Sequence, residues 1–327
     1  MTQHLSSRAF AVTLAAVAMA VSGATVAQTY PAKPVRIVVP FAPGGPNDIL
    51  ARLVGQKLTE QWGQNFIIEN RGGAGGTIGV EFASKAPADG YTLVMGGSSN
   101  LAVAPGLYAK LGYDPLRDFA PVANVAFVPY VVTINPGVPA KNLKELIAIA
   151  RSKKGALSYG SSGGGSMSNL MTEVLKADIG ADIVHVPYKG TAPAVTDVIA
   201  GQIDMMIADY AAVAPQAKIG KLRMLAVAGS KRASVAPELP TVAEAGVKGY
   251  AVDAWFGIVT LAGVPKEIVA KLNGGVTGAL KSPDVKQRFD ALGYEAIGDS
   301  QEHFGATIKS DIDKFAKIIK AAGIKAE

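Results

Sequence analysis

Cysteine is absent from the chain, so a disulfide framework, thiol chemistry and a lipid-anchored cysteine are excluded and the fold is held by its core alone. Histidine is scarce as well: three occur in 327 residues, and His4 falls in the leading segment, which argues against a dedicated zinc site. Basic runs studded with aromatics, the footprint of a nucleic-acid surface, do not occur. The 32 Lys and Arg outnumber the 26 Asp and Glu, but the surplus of +6 is scattered along helix-like segments. Such a mildly basic shell favours anions slightly at long range, and salt screens most of that. No nucleic-acid partner and no cofactor are expected.

What is present begins with an export signal. Arg8 precedes the apolar stretch Ala9 to Val21, which is too short to span a bilayer comfortably. Thr25-Val26-Ala27 offers a signal-peptidase site before Gln28, so residues 1–27 read as a signal peptide. An uncleaved membrane anchor is the alternative, weakened by the short run and the lack of a stop-transfer pattern. The mature chain of 300 residues, in a sequence 49% hydrophobic, suffices for two domains in the periplasm of a Gram-negative bacterium.

Apolar strand-like runs alternate with helix-like segments. Strands are expected at Val35 to Phe41, Phe66 to Glu69, Tyr91 to Met95, Ile183 to Pro187, Met205 to Ala208, Leu222 to Ala228 and Trp255 to Leu261. Helices are expected at Ile49 to Gln61, Leu143 to Arg151, Met167 to Lys176, Ala194 to Ala200 and Lys266 to Leu280. This is the pattern of an α/β fold with mixed, mostly parallel sheets flanked by helices. Asn142 with Glu145 and Asp299 with Glu302 have capping-box spacing, and Pro265 suits a first helical position. Phe304, Ile308, Ile312, Phe315 and Ile319 form one face of a terminal helix docked on the surface. Two extended stretches, Phe119 to Asn135 and Tyr250 to Ala262, read as crossovers between lobes. They divide the chain into lobe one, 28–128 plus 253–327, and lobe two, 129–252.

Two glycine- and serine-rich loops stand where a strand turns into a helix: Phe41-Ala42-Pro43-Gly44-Gly45-Pro46-Asn47-Asp48, and Tyr159-Gly160-Ser161-Ser162-Gly163-Gly164-Gly165-Ser166. Glycines admit close backbone approach and a first helical turn leaves N–H donors unpaired, so each loop is a candidate anion cradle. One cradle in each lobe suggests a ligand held between them.

Other chemistries fit the same residues less well. Gly160 to Gly164 satisfies G-x-S-x-G, and Ser162 with Asp204 or Asp209 and His303 follows the order of an α/β-hydrolase triad, which would make the protein a serine hydrolase of small esters. The additional serine and glycine make that loop softer than a strained elbow. Gly72 to Gly79 approaches a dinucleotide fingerprint but has Ile78 where glycine is needed, and Gly160 to Gly165 lacks the P-loop lysine.

An ordered set of motifs resembles one family along nearly the whole mature chain: Phe41-Ala42-Pro43-Gly44-Gly45 with Asp48, Glu69-Asn70-Arg71-Gly72-Gly73-Ala74-Gly75-Gly76, Asp89-Gly90-Tyr91-Thr92-Leu93, Tyr159-Gly160-Ser161-Ser162-Gly163, Val186-Pro187-Tyr188-Lys189-Gly190, Gly201-Gln202-Ile203-Asp204, Leu222-Arg223 and Lys271-Leu272-Asn273. The chain thereby resembles the Bug-type periplasmic receptors of tripartite tricarboxylate transporters. The resemblance implies a two-lobed Venus flytrap, type II-like, that grips a small carboxylate, a mono-, di- or tricarboxylate or an acidic amino acid, through backbone donors and water and serves membrane transporter subunits or a sensor as a monomer without catalysis. Met167, Ser168 and Asn169 depart from what many relatives carry, so the ligand need not be the commonest one.

Candidate ligand contacts are Phe41, Pro43, Gly44, Gly45, Asn47 and Asp48 in the first loop, Ser98, Ser99 and Asn100 after the third strand, Ser161, Ser162, Gly163 and Ser166 in the second loop, and Tyr188, Lys189 and Asp209 at strand ends. Asp48 either caps the helix before Ile49 or accepts a ligand ammonium. Asp209 either faces the cleft or ends its strand in solvent. Lys189 either pairs with a distal carboxylate or is solvated. Gly72 to Gly76 read as a turn and packing device, and Trp255 as hinge or core.

Overall fold

The computed structural model describes residues 30–325, so the expected export signal at 1–27 lies outside the described residues. From Lys33 onward the chain forms one compact unit built on two mixed sheets flanked by helices.

In chain order the elements are β1 (Val35–Val39), α1 (Pro46–Trp62), β2 (Phe66–Asn70), α2 (Thr77–Ser84), β3 (Thr92–Gly97), α3 (Ala104–Leu107) and β4 (Phe119–Phe127). There follow β5 (Tyr130–Ile134), α4 (Leu143–Ser152), β6 (Ser158–Ser161), α5 (Met167–Ile179), β7 (Val184–Pro187), α6 (Thr191–Ala200), β8 (Met205–Asp209), α7 (Tyr210–Lys218) and β9 (Arg223–Val227). The last part holds β10 (Trp255–Leu261), α8 (Lys266–Lys281), α9 (Pro283–Leu292), β11 (Glu295–Ala296) and α10 (Gln301–Ala322).

The first sheet has the order β11-β4-β10-β3-β1-β2 and the second β7-β6-β8-β5-β9. β1 pairs in parallel with β2 and β3, while β10 runs antiparallel to β3 and β4. In the second sheet β6 is parallel to β7 and β8, and β5 is antiparallel to β8 and β9. The chain leaves the first sheet at Val128-Pro129 and returns to it through residues 228–254. The mainly apolar strands β1 and β10 are central and largely buried, as helices covering both sides of a sheet require, Arg36 being the one charged residue in β1.

The stretch Phe119 to Asn135, expected as an extended connection, is two strands that belong to different sheets. Its prolines hid them. Pro121 is tolerated in β4 because β11 pairs only with Phe127 and Ala126, leaving Pro121 without a neighbour on that side. Tyr250 to Ala262 contains β10, the strand expected at Trp255 to Leu261, which lies between β3 and β4. Four further helices, α2, α3, α7 and α9, were not expected from the sequence.

Two expected caps shift by a residue or more. α10 is capped by Ser300, whose hydroxyl accepts from His303 N, while Asp299 accepts from Asn124 N at 3.0 Å and ties the helix entrance to β4. Asp48 is not the N-cap of α1: that position is Gly45, with Pro46 first in the helix. The box at α4 is as expected, with Asn142 accepting from Glu145 N at 2.9 Å. Phe304, Ile308, Phe315 and Ile319 are buried beneath α10, and Trp255 meets Phe304 edge-on at 5.3 Å while donating Nε1 to Asp311 at 2.6 Å. Among the described residues no helix is long and apolar enough to cross a membrane.

Candidate functional site

Both sheets present the same edge to one cleft. In the first, the carboxyl ends of parallel β1, β2 and β3 stand beside the start of antiparallel β10; in the second, the ends of β6, β7 and β8 stand beside the start of β5. Ligands of open α/β sheets bind at such edges, because the loops there lead into helix N-termini.

The cleft is lined by Phe41, Gly45, Pro46, Asn47, Ser99 and Phe256 from one sheet's loops and by Tyr130, Ser162, Met167 and Thr191 from the other's. No charged side chain is among these lining residues. Three helix N-termini open onto it: α1 at Pro46 and Asn47, α5 at Met167, and α6 at Thr191. Each carries roughly half a positive charge from its aligned peptide dipoles, so the site attracts anions without a lysine or arginine.

The first loop is locked from below. Asn47 donates Nδ2 to Met95 O at 2.8 Å, pinning the start of α1 to β3. Asp48 accepts from Gly44 N at 3.1 Å, from Arg52 at 2.9 and 3.0 Å, and from Asn70 at 3.0 Å. Burial works to raise its pKa, but those donors outweigh it and hold the carboxyl below its usual range. Both its oxygens are therefore spent, and the ammonium-acceptor role finds no support.

The second loop is largely satisfied by itself. Ser162 N donates to Ser168 Oγ at 2.9 Å, Gly163 N to Ser161 Oγ at 3.1 Å, and Gly165 N to Asn169 Oδ1 at 3.0 Å. Ser166 caps α5, its Oγ accepting from Asn169 N at 3.3 Å. The loop was expected to cradle the ligand with its own amides. These three amides instead build the loop, and the cleft receives the Ser162 side of it together with the first turn of α5.

The remaining candidates separate clearly. Ser98 and Asn100 lie fully buried behind Ser99: Asn100 Oδ1 accepts from Gly97 N at 3.1 Å, while Ser98 Oγ and Asn100 Nδ2 have no hydrogen-bond partner. Ser161 is also buried, its hydroxyl 2.6 Å from His185 Nε2, and His185 stacks on Tyr159. Tyr188 donates to Asp197 at 2.6 Å and Lys189 extends its side chain to solvent, so neither lines the cleft. Pro43 and Gly44 are exposed at the rim. Asp209 neither faces the cleft nor reaches solvent: it caps α7, accepting from Ala212 N at 3.1 Å. Its Oδ2 and the Tyr294 hydroxyl are buried neighbours outside hydrogen-bond geometry. Burial pushes this carboxyl up to about 6, against the pull of the Ala212 amide. The lining thus keeps Phe41, Gly45, Asn47, Ser99 and Ser162 from the expected set and adds Pro46, Tyr130, Met167, Thr191 and Phe256. Tyr130 and Phe256 lie at the start of antiparallel strands, which only the sheet pairing reveals, and Thr191 is first in α6 after its N-cap Gly190, three residues ahead of the helix start expected at Ala194.

The hydrolase constellation does not assemble. Ser162 Oγ pairs with Ser168 Oγ at 3.1 Å, Asp204 binds Ser158 N at 2.7 Å, and His303 is exposed in the first turn of α10.

The lobes are closed on one another. Ala42 N donates to Lys189 O at 3.3 Å, and the Tyr108 hydroxyl to Gly164 O at 2.9 Å. Gly75 packs so tightly on the second loop that a Cβ there would stand 2.5 Å from Gly164 O.

Comparison with known proteins agrees with this architecture. Residues 50–324 match the model of the tripartite tricarboxylate transporter family receptor. Protein BugT of Bordetella pertussis is 35% identical over 300 residues, 91% of this chain and 92% of its own. A structure described as R. palustris Rpa4515 with adipate is 38% identical, with a TM-score of 0.87 over 90% of this chain and 99% of that one. MatC from Rhodopseudomonas palustris with bound malate is 34% identical, with a TM-score of 0.85 over 89% and 100%. Sequence and fold together establish that the chain belongs to the tripartite tricarboxylate transporter receptor family, the solute-binding receptors with a two-lobed periplasmic binding protein fold.

Proposed function

We propose that the protein is exported to the periplasm, captures a small carboxylate between its lobes as a monomer, performs no chemistry on it, and hands it to membrane subunits of a tripartite tricarboxylate transporter. The observation that carries the reading is the convergence of three helix N-termini, contributed by both sheets, on a cleft without charged side chains. Adipate and malate in the two related structures fit the same chemistry.

Binding closes the hinge in this reading, with lobe one at 28–128 and 253–327 and lobe two at 129–252. The change of sheet at Val128-Pro129 and the return before Trp255 support that division. Phe41, Gly45, Asn47, Ser99, Ser162, Met167 and Thr191 surround the ligand, and Tyr130 and Phe256 wall it in. A hydrogen bond to a charged group contributes about 1.5–3 kcal/mol and a helix N-terminus roughly 0.3–1. Three or four such contacts offset the ordering of a small ligand and reach micromolar affinity, about 8 kcal/mol. Since each lobe holds only part of the donors, an open form binds weakly.

A thermal-shift screen of protein lacking residues 1–27 tests this. Small carboxylates are expected to stabilise it, by about 2.7 kcal/mol at a hundredfold excess over Kd. Stabilisation by neutral sugars and by no acid overturns the reading.

A further inference from the structure

We propose that His185, which is not among the cleft-lining residues, is a positioning residue that holds the second loop in the shape the opposing lobe and the ligand meet. The inference rests on the binding function proposed above and adds to it a residue that acts through others.

The loop from Ser161 to Ser166 consists of three serines and three glycines. Such a segment has little side-chain packing to restrict its backbone, and Gly163 and Gly165 sit at φ 123° and 77°, where glycine is favoured. Its shape is therefore set by hydrogen bonds. On one side Gly163 N donates to Ser161 Oγ at 3.1 Å, and that oxygen is hydrogen-bonded to His185 Nε2 at 2.6 Å. On the other, Gly165 N donates to Asn169 Oδ1 at 3.0 Å, and Asn169 Nδ2 donates to the Tyr159 hydroxyl at 2.8 Å. Tyr159 in turn donates to Glu173 at 2.6 Å, and Lys176 donates to the same carboxylate at 2.7 Å. His185 and Tyr159 are register partners on β7 and β6, with ring centroids 4.6 Å apart and planes 16° from parallel. One aromatic stack thus carries both halves of the loop.

What the loop presents lies between the two anchored amides. Gly164 O accepts from Tyr108 across the cleft at 2.9 Å and faces Gly75 of the other lobe. Ser166 N donates to Gly163 O at 3.1 Å, so the N-cap of α5 follows the same support. Any drift of Gly163 moves both the interlobe contact and the helix end that meets the ligand. β7 is an edge strand with β6 as its neighbour, and its residues are exposed or half-buried. His185 therefore contributes little to the core, and its loss is expected to loosen the loop and not the lobe.

Two substitutions separate the ring from the bond. His185→Phe keeps a ring on Tyr159 and removes the bond to Ser161; His185→Gln keeps a polar group that can reach Ser161 and removes the ring. Calorimetry uses succinate, malate and adipate, continuing with whichever binds the wild type. His185→Phe is expected to weaken binding about tenfold and His185→Gln about threefold or less, with little shift in urea unfolding of either free protein. Ser161→Ala is expected to weaken binding at least as much as His185→Phe, and adding His185→Phe to it costs nothing further, because both act through one bond. Wild-type affinity in His185→Phe, or additive losses in the double variant, overturns the proposal.

Amide hydrogen exchange of the free protein reads the loop without any ligand. Gly163 and Gly165 are expected to exchange at least about tenfold faster in His185→Phe, with β6 and α5 unchanged. Unchanged exchange at both glycines overturns the role of His185. Failure of all three acids to bind the wild type counts against the carboxylate reading instead, and the exchange measurement then decides on His185 by itself.

Discussion

Substituting Gly75 by alanine is expected to weaken ligand binding while leaving the lobes folded. Gly75 lies at φ 61°, ψ 17° in the short turn before α2. A Cβ on it would meet Gly164 O at 2.5 Å, Gly165 C at 2.8 Å and Ser166 N at 3.0 Å, all backbone atoms of the opposing loop. The shortest of these is roughly 1 Å inside the ~3.5 Å at which nonpolar contacts become attractive, and no side-chain rotation relieves it. Separation of the two loops does. The left-handed backbone adds about 1–2 kcal/mol of strain whether the lobes are open or closed. The clash acts on the closed state, where overpacking costs about 1–3 kcal/mol, or about 5- to 150-fold in Kd. Gly180 is the matched control: it has φ 61° at the end of α5 and nothing within 4 Å of an added Cβ. Gly180→Ala therefore carries the strain without the clash. Calorimetry with the ligand identified in the screen, alongside urea unfolding of the free proteins, separates the effects. Both variants lose stability, and only Gly75→Ala loses affinity. Equal affinities for the two variants would refute the idea that this glycine contact measures closure.

Three further outcomes follow from the same geometry. Tyr108→Phe removes the hydroxyl that donates to Gly164 O across the cleft and is expected to weaken binding about fivefold, near 1 kcal/mol, with little change in the melting temperature of the free protein. Asp209 holds its proton to about pH 6 against an ordinary value of 3.8, so between those limits the folded state binds more protons than the unfolded one and stability falls as pH rises. Asp209→Asn should remove up to about 3 kcal/mol of that dependence in urea titrations across the window, and parallel curves for the two proteins would reject the assignment. Asp48→Ala strands the Gly44 and Asn70 donors and frees Arg52, and is expected to lower unfolding stability by about 1–3 kcal/mol, measured by urea denaturation near neutral pH.

The alternation of buried runs with helices was legible because the central strands are mostly apolar, as in β1 and β10. β4 and β5 were not, because Pro121 and Pro129 punctuate a stretch whose strand character depends on which neighbours it lacks. Gly45, Asn47, Ser99 and Ser162, which line the cleft, were legible as candidates because a strand-to-helix turn rich in glycine and hydroxyls is a local signature. The alternatives at Lys189 stayed open, and the buried roles of Asp48 and Asp209 were not foreseen, because a charged residue near a turn has the same local sequence whether it faces ligand, solvent or a buried cap.

The sequence by itself determined the α/β class, the two glycine-rich strand-to-helix loops, the family and the absence of thiol chemistry, since each follows from residue type, order and short-range spacing. Only the tertiary structure decided which donors remain unspent, that a third helix end at Thr191 joins the other two, that Tyr130 and Phe256 close the cleft, and that Gly75 meets Gly164. Those facts depend on sheet order and on the apposition of segments about 90 residues apart, such as Gly75 and Gly164, where no local pattern records the partner.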